Sequence, residues 1–147
     1  MTVTLTAVGL AVLLIVFWIK NRRDQRELER HSITPEALHS LLASNPNVLV
    51  FDVRQPLDVL AESEIIPGAK RLSPREVIDD PSLIPKEKDS IVYCTCPSDK
   101  TSRSILQRAL SIGFSRVRFL KGGLAGWKAK GYPVEPYEKP FRLDPGI

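Results

Sequence analysis

Ile91-Val92-Tyr93-Cys94-Thr95-Cys96-Pro97-Ser98-Asp99-Lys100-Thr101-Ser102 (residues 91–102) is the stretch on which the fold turns. Its first three residues form a short, continuous apolar run, the pattern of a strand buried on both faces. From Ser102 onward Ile105, Leu106, Ala109 and Leu110 recur on one helical face, and Gly113 marks the helix end. A further, weaker run, interrupted by Arg118, follows at Val117-Arg118-Phe119-Leu120. Strand, helix and strand in that order predict a right-handed parallel crossover and place the chain in the α/β class.

The ten residues from Tyr93 to Ser102 therefore join the carboxyl end of a buried strand to the start of a helix, where open α/β sheets bind their ligands. Successive backbone N–H groups of such a loop, with those of the first helical turn, form a concave anion site. A cysteine seated there becomes an acidic thiol. Its ordinary pKa is about 8.5, so a lowering by about two, equivalent to about 2.7 kcal/mol, makes thiolate the main form near neutrality. Cys94 and Cys96 are the two candidates, and they are the chain's only cysteines. Their spacing is too short to staple a fold, so no disulfide framework is expected. Zinc would need more ligands than these, because His31 and His39 lie more than fifty residues upstream. Neither a metal nor any other cofactor is expected.

Working outward, Val48-Leu49-Val50-Phe51 reads as another buried strand, bounded by Asn47 and Asp52. Before it, Thr34-Pro35-Glu36 supplies an N-cap, a proline at the first helical position and an acid in the first turn. A helix of about ten residues follows, with Leu38, Leu41 and Leu42 on one face. Leu124 to Lys130 makes a short helix, closed by Gly131 and Pro133. No repeat is visible, and the 12 prolines are dispersed rather than gathered in a low-complexity tract.

The N-terminus has a different character. Val3 to Ile19 holds 17 residues without a charge, which as a helix span roughly 26 Å, enough to cross a bilayer. Trp18 sits where an aromatic ring meets the headgroups, and Lys20, Arg22, Arg23, Arg26 and Arg30 follow directly. A cleaved signal peptide would carry a basic segment before the apolar core and small residues after it, and neither is present. The expected organisation is a transmembrane helix over 1–20 and a charged juxtamembrane stalk over 21–31. One α/β domain over 32–137 and a tail over 138–147 complete it, with the domain on the cytoplasmic side. The net charge of +4 is modest, and five of the basic residues stand together in this juxtamembrane cluster, so nucleic acid is not an expected partner.

From about Ile33 to Val134 the chain resembles the rhodanese (sulfurtransferase) family. The resemblance rests on Val50-Phe51-Asp52-Val53-Arg54, Ile66-Pro67-Gly68-Ala69, the cysteine loop ending in Thr101-Ser102, and Gly113-Phe114. Gly122-Gly123-Leu124-Ala125-Gly126-Trp127 and Gly131-Tyr132-Pro133-Val134 complete it, and all stand in the family's order. It implies a three-layer fold with a small central parallel sheet. It also implies an activity like that of thiosulfate sulfurtransferase, in which a loop cysteine takes sulfane sulfur from a donor as a persulfide and hands it to a thiol acceptor. Substrate binding then falls to Pro97, Ser98, Asp99, Lys100, Thr101, Ser102 and Arg103, while Asp52 and Arg54 brace the sheet beside the loop, either as a structural ion pair or in support of catalysis.

Two departures from the family pattern bear on this. Counting back from Ser102 puts the nucleophile at Cys96, whereas counting forward from Tyr93 puts it at Cys94. The second cysteine is then a rival or a resolving thiol, and Pro97 has no N–H to offer the cradle. Thr101 also stands where the family carries Arg, so the charge that would hold thiosulfate is missing, and Lys100 and Arg103 are the nearby substitutes. The same gap speaks against a Cys-dependent phosphatase or arsenate reductase, which clamps its oxyanion with that Arg. The main rival to sulfur transfer is a non-catalytic rhodanese-like module that binds a partner or senses oxidation at the membrane.

Overall fold

The computed structural model describes residues 2–95 and 100–139, with the side chains of 2–5 and 100 left aside. The chain divides into two units, residues 1–30 and 31–147.

The first unit is one helix, α1 (Thr2–Arg30), unbroken from the apolar segment through the charged one. Among the described residues no helix is long and apolar enough to cross a membrane. The expected span begins at Val3, and its first three side chains lie outside the described ones. From Val8 to Ile19 the large apolar side chains of α1 are 47–70% exposed.

The second unit is built on a five-stranded parallel sheet. Its strands are β1 (Ser32–Ile33), β2 (Leu49–Asp52), β4 (Lys70–Arg71), β5 (Ser90–Tyr93) and β6 (Val117–Leu120), in the order β1-β6-β5-β2-β4. A separate antiparallel pair joins β3 (Glu64–Ile65) to β7 (Glu135–Pro136). The three apolar runs of the sequence are β2, β5 and β6, side by side at the centre of the sheet. They lie there because a strand covered on both faces is apolar at nearly every position, and the one charged residue in these runs, Arg118 of β6, is only half-buried.

Strand alternation splits the core into two layers. Val50, Ile91, Tyr93 and Leu120 pack with Leu38 of α2 (Pro35–Ser44) and with Leu124 and Trp127 of α6 (Gly123–Ala129). Phe51, Val92 and Phe119, all buried, point the other way, toward the side of α5 (Lys100–Ser111) that buries Ile105, Leu106 and Ala109. The Thr34 hydroxyl caps α2 by accepting from the Ala37 N–H at 3.3 Å, as the Thr-Pro-Glu start requires. Two further helices, α3 (Pro56–Ala61) and α4 (Pro74–Asp79), each start on a proline.

This topology fixes where a ligand can bind. The connection leaving β2 runs outward to β4, and the one leaving β5 runs through α5 to β6 on the other side. Neighbouring strands whose connections part in opposite directions open a crevice at their carboxyl ends. Here those ends are Asp52 and Tyr93, partners in the β2–β5 register.

Candidate functional site

Directly beyond Tyr93 come Cys94 and Thr95, and the cysteine loop begins at that crevice. The Cys94 side chain is 3% exposed, and its carbonyl accepts from the Leu124 N–H at 2.9 Å, fastening the loop's first residue to the first turn of α6. That contact needs a chain reversal between β6 and α6. Gly122 at φ 74° and Gly123 at φ 56° supply it in a region that other residues enter only with strain. A Cβ on Gly126 would lie 3.0 Å from the Lys121 carbonyl oxygen, so this third glycine permits the close approach of α6 to the end of β6.

Cys96, Pro97, Ser98 and Asp99 lie outside the described residues, and the Lys100 side chain does also. On the far side of the loop Thr101 is half-buried and Ser102 fully buried. The Ser102 hydroxyl and that of Thr95 are both removed from solvent and without a hydrogen-bond partner among the described residues. Arg103 turns its guanidinium over the Phe119 ring, 5.1 Å from the centroid, a cation–π contact with the core of the sheet.

At the carboxyl ends of β2 and β5 lies a buried ionic network. Asp52 and Arg54 are 0% exposed. Arg54 Nε donates to both Asp52 oxygens at 3.0 and 2.9 Å, and its Nη2 donates to Oδ2 at 2.6 Å. The guanidinium's other donors reach the carbonyls of Glu62 (2.7 Å) and Glu64 (2.8 Å). Burial works to lower the Arg54 pKa, but the Asp52 hydrogen bonds and charge outweigh it and leave it raised. The pair thus ties the end of β2 to the chain around β3. On the surface Lys128 of α6 clasps the Glu62 and Glu64 carboxylates, which raise its pKa in that order. Arg71 donates to the carbonyls of Asp52 and Leu72 at 3.1 and 2.9 Å.

Tyr93 completes the network, a role that its place in an apolar run conceals. Its hydroxyl donates to Asp52 Oδ2 at 3.2 Å and accepts from the Ile66 N–H at 3.2 Å. Burial first, and the Asp52 charge second, push the phenol pKa far above its ordinary value of 10.0. In the folded chain Tyr93 keeps its proton where the unfolded chain has lost it, so stability is full below about pH 10 and falls as pH rises beyond it. Chemical denaturation at successive alkaline pH values should show wild type losing up to about 1.4 kcal/mol more per pH unit than Tyr93→Phe. Parallel curves would mean that this phenol ionises as readily in the fold as outside it.

A groove of about 410 Å³ adjoins the helix end of the loop, lined by Gln55, Pro74, Arg75, Ile78, Thr101 and Ser104. Its outer wall, α4, is held to α5 by the Arg108 Nε–H, which donates to the Ile78 carbonyl at 3.4 Å. The sequence gives no periodic signal for the residues of this wall. No cluster that could hold a metal ion is found among the described residues.

Comparison with known proteins bears on this architecture. A model of the Rhodanese-like domain family matches residues 34–130. The chain belongs to the rhodanese-like family. A sulfurtransferase of Allochromatium vinosum is 31% identical over 104 residues, which cover 71% of this chain and 94% of that protein. Among solved structures, the rhodanese-like domain of an Anabaena sp. protein superposes with a TM-score of 0.61 at 28% identity, covering 78% of this chain and 87% of the other. A Lactobacillus plantarum protein at 22% identity has a TM-score of 0.67 over 80% of this chain and 97% of its own, a likeness of fold. The rhodanese-like domain thus accounts for the parallel sheet and for the position of the cysteine loop at its carboxyl edge, and it supports a sulfurtransferase-like role.

Proposed function

We propose that this rhodanese-like protein moves sulfane sulfur through a persulfide on Cys96, while α1 holds it at a membrane with the domain on the cytoplasmic face. The observation that carries the chemistry is the departure of a two-cysteine loop from the crevice where β2 and β5 diverge. With thiosulfate as donor, the Cys96 thiolate attacks the outer sulfur. The bond between that sulfur and the sulfonate sulfur breaks, and sulfite leaves with the electron pair. An acceptor thiolate then attacks the sulfane sulfur, and the Cys96 thiolate is released in turn. The burial of Cys94 supports giving the carrier role to Cys96, since donor and acceptor must both reach the sulfur.

Anchoring has separate support. The apolar half of α1 is exposed on all sides, and a helix apolar all round calls for an apolar surround. Lys20, Arg22, Arg23, Arg26 and Arg30 follow it, and the Arg22 guanidinium lies 3.9 Å from the Trp18 ring centroid, an arrangement suited to the headgroup zone. The 31% identical sulfurtransferase supports the transfer chemistry, whereas Thr101 in the place of the family's Arg favours the second reading, a binding or redox-sensing module.

One experiment addresses both halves. The full chain, reduced and incubated with thiosulfate and phosphatidylcholine vesicles, is floated through a density gradient and weighed intact. The proposal expects the chain in the vesicle fraction, heavier by about 32 Da, one sulfur atom. Protein that floats without gaining mass would favour the binding module, and protein that gains mass but stays at the bottom would remove the anchor.

A further inference from the structure

Beyond its apolar segment α1 carries an arginine face. At about 100° of rotation per residue, Arg22, Arg23, Arg26 and Arg30 fall within one arc of roughly 100° around the helix. No acid stands inside that arc: Glu27 and Glu29 lie just beyond its two edges, and Asp24 lies farther round. All four arginines are exposed, whereas Leu28, on the opposite side of the helix, is buried.

Helix stability does not account for such a face. Arg22, Arg26 and Arg30 succeed one another at four-residue spacing, which sets like charges side by side and weakens a helix. Nor do Arg22 and Arg23 complement a helix end, because α1 runs unbroken to Arg30 and the carbonyls beside them are bonded within it.

We propose that this face binds the phosphates of anionic phospholipids, with Arg22 and Arg23 as the main contacts. The assignment rests on the membrane-anchoring reading and adds to it the class of lipid. Continuity with the apolar segment argues for a bilayer over a dissolved polyanion. The Arg22 guanidinium lies 3.9 Å from the ring centroid of Trp18, the last residue but one of the uncharged stretch, which sets it at the level where acyl chains give way to headgroups. A guanidinium fork pairs with phosphate oxygens through two parallel hydrogen bonds. Charge then selects the lipid, because in a zwitterionic headgroup the choline cation offsets the phosphate and repels the arginines. A spanning helix carries Arg26 about 6 Å and Arg30 about 12 Å farther from the bilayer than Arg22. Arg30 is thus beyond a Debye length of about 8 Å, and the contributions fall in that order.

The test reads Trp18 in the full chain. The protein is reconstituted into vesicles of phosphatidylcholine mixed with phosphatidylglycerol, in which one lipid or the other carries brominated acyl chains, and quenching of tryptophan emission is compared per mole of brominated lipid. Trp127, buried in the rhodanese-like domain, supplies an unquenched background. Phosphatidylglycerol is expected to quench at least about fivefold more strongly than phosphatidylcholine, the factor that one arginine near a charged surface supplies. Arg22→Gln with Arg23→Gln should bring the ratio close to one, while Arg30→Gln and added inorganic phosphate at constant ionic strength should leave it unchanged. Quenching by brominated phosphatidylcholine shows in the same samples that α1 is inserted. Equal quenching by the two lipids in wild type would overturn the lipid assignment and leave the anchor, and no quenching by either would remove the anchor with it. A preference that survives the paired substitution would move the contact away from Arg22 and Arg23, and one that inorganic phosphate abolishes would give the arginines to the free ion; both results overturn the assignment.

Discussion

Asp52→Ala is expected to cost about 3–5 kcal/mol of unfolding free energy, the usual penalty for stranding one member of a fully buried ion pair. The guanidinium of Arg54 would keep its carbonyl contacts to Glu62 and Glu64 but lose every hydrogen bond to the carboxylate, in a site with no solvent to replace it. The Tyr93 hydroxyl would lose its acceptor as well. Since domains of this size have total stabilities of about 5–15 kcal/mol, the variant should melt far below wild type. Urea unfolding measures it directly. The double variant Asp52→Leu with Arg54→Met separates a stranded charge from the worth of the pair. It removes both charges, so it should be less destabilised than Asp52→Ala alone. A loss under about 1 kcal/mol in Asp52→Ala would mean that water reaches Arg54 and that the pair behaves like one at the surface.

That network shows what the sequence discloses and what it hides. The three central strands were legible because a strand covered on both faces is apolar at most positions, and the observed β2, β5 and β6 differ from the runs by at most one residue at either end, Arg118 being the one charge inside a run. Thr34 and Pro35 marked the start of α2 for a comparable local reason, the cap geometry. By contrast, β1, β3, β4 and β7 are two residues each, too short for any alternation to register. Helices α3 and α4 have six residues apiece, too short for a helical periodicity to register, although each starts on a proline with an acid in its first turn. Tyr93 was hidden more deeply. Its hydroxyl joins residues 27 and 41 positions away, and within Ile91-Val92-Tyr93 it reads as one more apolar side chain. The groove escaped notice for the same reason, since Gln55, Arg75 and Thr101 meet only once α4 and α5 are packed together.

Cys96→Ser is expected to abolish sulfane loading and to slow transfer at least about a hundredfold, because a serine hydroxyl does not ionise near neutrality and the carrier's nucleophile is the thiolate. Cys94→Ser should still load one sulfur. If Cys94 serves as a resolving thiol, its sulfur attacks the inner sulfur of the persulfide and expels hydrosulfide, and the serine variant should then hold its persulfide longer than wild type. Peptide mass mapping after thiosulfate treatment identifies the loaded residue, and alkylation rates measured against pH report which thiol is acidic. The two cysteines stand in different settings. Cys94 is buried at the end of β5, with its carbonyl committed to α6, while Cys96 follows it by two residues toward the start of α5, where N–H groups of the first helical turn have no intrahelical partner. A reversed outcome, with loading lost in Cys94→Ser and kept in Cys96→Ser, would place the nucleophile by its distance from the strand and not from the helix. Loading kept in both single variants would mean that either thiol can take the sulfur, whereas no loading in the wild type would favour the tethered binding module and fit a loop that has Thr101 where a charge is expected.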